Sequence, residues 1–87
     1  MAGKLLVVVQ SNFDAQIAIA VEVDGSIGTL ERVGWWVECP KSIAPAPAGT
    51  INVCAAFDSV LTGKLYAIAV GSADNQFGTF KLTWSLS

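Results

Sequence analysis

The chain has 87 residues, 53% of them hydrophobic and 14% charged, with a net charge of −2, which leaves room for one domain, 1–87, around one core. The absence of histidine excludes Ser-His-Asp and Cys-His catalysis and most catalytic zinc sites. Five dispersed cations against seven acids make a poor phosphate-neutralising stripe, so no nucleic-acid partner is expected.

In chain order, Leu5–Val9 is an apolar run with the character of a strand buried on both faces. It is too short for the core of a signal peptide, and no stretch reaches the roughly 18 apolar residues of a membrane span. The expected location is therefore cytoplasmic, or secreted without a classical signal peptide. After a break at Asn12-Phe13-Asp14, Ile17, Ile19, Val21 and Val23 alternate with Gln16, Ala18, Ala20 and Glu22, the period of two that marks a strand. Asp24-Gly25-Ser26 reads as a hairpin turn. Pro40 to Gly49 holds all three prolines, which have no N–H for a ladder, so this segment reads as an extended loop crossing between sheets. Beyond it, Ile51, Val53, Ala55 and Phe57 alternate, then Tyr66, Ile68 and Val70, then Phe80, Leu82, Trp84 and Leu86.

Strands are thus expected at about 4–10, 16–23, 29–38, 50–57, 64–71 and 77–86, the last divisible near Gly78. Six to seven short strands and no helical periodicity predict an all-β fold, a compact antiparallel β-sandwich or a small barrel. The paired small residues Ala18 and Ala20, and Ala67 and Ala69, suit a close approach of two surfaces or a thin face touching solvent. Cys39 and Cys54 read either as two buried thiols or as one disulfide; without a CxxC pair or a histidine they are not a zinc site.

Chemistry is sparse. Asp14, Glu22, Asp24, Glu31, Glu38, Asp58 and Asp74 fall mainly in predicted turns and at strand ends, where solvated acids sit, and no glycine pattern matches a phosphate loop. The loops at Asp24-Gly25-Ser26 and Ala73-Asp74-Asn75 lack a calcium-loop pattern. Hence no catalytic residue, metal or cofactor is expected, and the chain is not read as an enzyme. The informative feature is Gly34-Trp35-Trp36. Neighbouring side chains on a strand point to opposite faces, so only one indole can enter a one-sided core. Trp35 and Trp36 are therefore the candidate ligand-binding residues, because an outward indole offers a flat apolar face and an N–H donor.

Asn12 after the first apolar strand, Gly34-Trp35-Trp36, Pro40, Ile43, Gly49-Thr50 and Thr62-Gly63-Lys64-Leu65-Tyr66 together resemble aegerolysin-type proteins. That resemblance implies a small acidic β-sandwich that binds lipids at membrane surfaces. From the residues themselves, the expected function is a non-enzymatic binding module that recognises a lipid surface, a glycan or a protein through an aromatic patch. With a charged fraction below the ~25% of typical soluble domains, a homo-oligomer is the expected state. The alternatives are an assembly protein whose role is homo-oligomerisation, or an inhibitor that presents the 40–49 loop.

Overall fold

In the computed structural model, residues 3–23, 26–61, 63–72 and 78–87 are described. The turn expected at Asp24-Gly25, Thr62 of the later turn, and the Ala73-Asp74-Asn75 loop lie outside the described residues. Six strands occur: β1 (Gly3–Ser11), β2 (Ala15–Val23), β3 (Ser26–Val37), β4 (Ile51–Val60), β5 (Tyr66–Ser72) and β6 (Phe80–Leu86). No helix is present among the described residues. β6 runs undivided from Phe80, because its start lies beyond Gly78.

Of the compact antiparallel sandwich or small barrel of six to seven strands that the sequence predicts, the all-β antiparallel character is observed, and the six strands form one sheet of order β5-β2-β3-β4-β1-β6, curled into a half-barrel. The curl is made by β3. Its first part pairs with β2 as far as Gly34 opposite Ile19, and Trp35, Trp36 and Val37 then pair with Ala56, Ala55 and Cys54 of β4. One strand thus belongs to both halves of the sheet and turns the corner at Gly34. Glycine is needed there, because a Cβ at position 34 would lie 2.7 Å from both Cβ and Cδ1 of Ile19.

The core fills the space between the halves. Leu5, Val7 and Val9 of β1 and Ala55 of β4 meet Ala15, Ile17 and Ile19 of β2, all buried, with Val33, Val53, Phe57, Tyr66, Ile68 and Val70 packed around them. The two-sided burial expected of β1 is observed. It lies between β4 and β6, and Val8, on the opposite face from Val7, is buried as well. Its cover includes the proline-rich segment, since Ile43 and Ala44 share a small depression with Val8, Gln10, Asn52, Lys81 and Thr83.

That segment was expected to cross between sheets. Instead it returns the chain from β3 to its own neighbour β4 and lies over the outer face of β1, β4 and β6. Three devices hold it there. Cys39 and Cys54 form a disulfide, with Cα atoms 5.2 Å apart, which decides between the two readings of the cysteines. The Asn52 amide donates to Ala44 O at 2.9 Å. Thr50 N and Oγ1 both donate to Pro47 O, closing a turn in which Gly49 has φ +83°, the left-handed conformation that a type II turn requires.

The alanine faces do not stack on each other. Ala18 lies opposite Ala69 and Ala20 opposite Ala67 as lateral neighbours in β2 and β5, on one face of the sheet.

Candidate functional site

The divergence of β3 from β2 opens a cleft. From Ile19 onward β2 is paired on both sides, but its first residues have only β5 beside them, because β3 has moved to β4. The resulting cavity is about 540 Å³, within the range of small-molecule sites. Its polar groups come from Asp14, Gln16 and Arg32, and its apolar wall includes Trp36 and Val53. The small residues Ala18, Ala69 and Gly71 help make the concavity, so the alanine-rich surface legible in the sequence lines a ligand-sized hollow.

Both candidate tryptophans are outside the core. Trp35 is 56% exposed and Trp36 68% exposed, so neither indole takes the one place that a one-sided core could offer. The reason is the row in which Trp36 sits. Trp36, Ala55, Val7 and Trp84 are successive cross-strand neighbours on β3, β4, β1 and β6. Such neighbours share one face of a sheet. The β2 layer covers Ala55 and Val7 completely but does not extend to either end of the row, and both indoles remain exposed.

The structure does not bring the two tryptophans into one plane; it divides their roles. Trp36 lines the cleft. Trp35, on the opposite face, stacks on Arg32, whose guanidinium carbon is 5.6 Å from the ring centroid. Arg32 Nε also donates to Gly34 O at 3.2 Å, and Nη2 reaches Ile17 O at 3.5 Å. The guanidinium thereby spans from β3 to the part of β2 that β3 has left, and Trp35 is a positioning residue for it.

Sequence reasoning missed Asp14, Gln16 and Arg32. Asp14 and Gln16 read as an ordinary turn acid and an outward strand residue, and only the order β5-β2-β3 places them beside Arg32 and Trp36. Arg32, three residues before Trp35, carried a weak signal, because a cation near exposed aromatics suits stacking.

The cleft offers one carboxylate, one guanidinium, one amide and one indole face. Such a set orients a polar ligand against an apolar plate. No group of three or more metal-ligating side chains converges among the described residues. No helix is long and apolar enough to cross a membrane. Compared with known proteins, the chain matches no family model, no curated protein and no solved structure, so the functional reading rests on this geometry.

Proposed function

We propose that the protein is a non-enzymatic binding module whose cleft takes a small polar ligand of the glycan class, with Trp36 as the stacking surface. The observation that carries this is the joint lining of one 540 Å³ cavity by Trp36, Asp14, Gln16 and Arg32. A sugar ring has an apolar face, which suits an indole, and a rim of hydroxyls that both donate and accept. Asp14 accepts, Arg32 donates and Gln16 does either. Trp35 contributes by holding Arg32. Such sites are individually weak, and a homo-oligomer strengthens them by presenting several at once.

The proposed occupancy is tested by screening the protein against a panel of neutral and acidic oligosaccharides, with isothermal titration on those retained. Replacing Trp36 with alanine is expected to weaken binding about tenfold, the equivalent of ~1.4 kcal/mol for one lost stacking surface. Trp35→Ala is expected to have a smaller effect, and Arg32→Gln an effect confined to part of the panel. Retention of no saccharide, or binding untouched by Trp36→Ala in a folded variant, would reject the reading. Liposomes of neutral and anionic composition form a parallel arm. Tryptophan-dependent sedimentation with vesicles and none with glycans would transfer the site to the lipid surface implied by the aegerolysin resemblance.

A further inference from the structure

We infer that the outer edge of β6 is a two-fold interface at which a second copy of this chain continues the sheet. β6 is the terminal strand of the order β5-β2-β3-β4-β1-β6 and, among the described residues, is hydrogen-bonded on one side only. Which of its groups face the open side follows from the ladder. Lys4 N donates to Ser87 O at 2.8 Å and Ser87 N to Lys4 O at 3.0 Å, so Lys4 and Ser87 form a hydrogen-bonded antiparallel pair. Such pairs alternate along the ladder with non-bonded ones. In the register Leu5–Leu86, Val7–Trp84, Val9–Leu82 and Ser11–Phe80, these are the non-bonded pairs. Phe80, Leu82, Trp84 and Leu86 therefore point their N–H and C=O groups away from β1, toward the unpaired edge.

The same residues put their side chains on the face that carries the core, opposite Ser11, Val9, Val7 and Leu5. The β2 layer stops short of them. Phe80 is 50%, Trp84 63% and Leu86 56% exposed, with Leu82 half-buried. An apolar stripe and a row of open backbone groups thus coincide on one strand, the combination that templates pairing with another chain.

A second copy fits this edge because β6 is complementary to itself. Hydrogen-bonded pairs across the new ladder must join outward-facing residues, which are the even-numbered ones. A two-fold axis at Thr83 satisfies this over the whole strand. Phe80 then lies opposite the second copy's Leu86, and Leu82 opposite its Trp84. On the outer face Lys81 meets Ser85, and no like charges are opposed. The exposed parts of Phe80, Trp84 and Leu86 amount to roughly 350 Å², taking about 150–250 Å² for a large side chain. That is somewhat under half of the ~800 Å² per partner in a standard interface, with Leu82, the backbone edge and the outer-face side chains to supply the rest. The opposite edge is less suited. Its core-facing residues Tyr66, Ile68 and Val70 are already half-buried.

Sedimentation velocity and light scattering of the full chain at micromolar concentration test the inference. The expected result is a dimer that Trp84→Lys converts to the monomer mass while circular dichroism and the melting transition stay cooperative. Leu82→Pro provides a second variant. It removes an outward N–H without touching the β1 ladder, and is expected to weaken the dimer at least tenfold. A stable monomer, an open polymer, a complex with another protein in place of self-association, or a dimer indifferent to both variants would overturn the inference. Trp36→Ala is expected to leave the mass unchanged, so loss of dimerisation and loss of ligand binding are read separately.

Discussion

Reduction of the Cys39–Cys54 disulfide is expected to lower the melting temperature by roughly 12–24 °C. The bond joins residues 15 apart. Closing a loop of this length removes unfolded-state entropy worth about 3 kcal/mol, and each kcal/mol moves Tm by about 4–8 °C in a domain of this size. Part of the loss is local. Cys54 is fully buried on β4, and the bond ties it to the segment that covers Val8. Without the bond, Asn52 to Ala44 and the turn at Pro47–Thr50 hold that cover by hydrogen bonds alone. Scanning calorimetry with and without a phosphine reductant, alongside the paired Cys39→Ser and Cys54→Ser variant, measures this. Equal transitions under both conditions would show that the bond contributes nothing.

Substitution of Gly34 is expected to be at least as costly. A Cβ at this position meets the Cβ and Cδ1 of Ile19 at 2.7 Å, and Ile19 is completely buried in the middle of the core. Neither side can yield easily, because β3 bends here to join β4 and Ile19 is enclosed by packed neighbours. Overpacking of this kind costs about 1–3 kcal/mol, and Gly34→Val is expected at or above the upper end. For a domain whose whole stability is on the order of 4–13 kcal/mol, that is a large fraction. Ile19→Ala alone is expected to cost about 2–5 kcal/mol by leaving a cavity. Combined with Gly34→Val it removes the contacts with Cγ1 and Cδ1 while keeping the one with Cβ, so the double variant is expected to lose somewhat less than the two single losses together. Urea unfolding of the four proteins measures this coupling. Strict additivity would mean that the two residues do not contend for the same space. Because Gly34 also sets where β3 leaves β2, the variant is expected to weaken the proposed glycan binding even where it stays folded.

Much of the secondary structure was legible without coordinates. Alternation of apolar and polar residues is a local property of strands, and it placed all six within a few residues of their observed bounds. The apolar run at Leu5–Val9 identified a strand covered on both sides, and the missing N–H of three prolines identified the irregular segment. The composition pointed to apolar surface beyond what one core hides, and all three tryptophans are in fact exposed.

What the sequence could not decide is which strands become neighbours. Pairing of β1 with β4 and β6, and of β2 with β5, joins segments far apart along the chain and depends on burying the whole set of apolar faces at once. Alternation assigns Phe80, Leu82, Trp84 and Leu86 to a core face, as it does Leu5, Val7 and Val9. Only the strand order shows that the first set lies at the edge, beyond the reach of the covering layer, while the second lies beneath it. The cleft has the same origin. Trp35 and Trp36 stood out as residues, but the space beside Trp36 exists because β3 turns from β2 to β4 at Gly34, and that turn brings in Asp14, Gln16 and Arg32. A strand's faces follow from its own residues, whereas what covers each face is set by the positions of all the others.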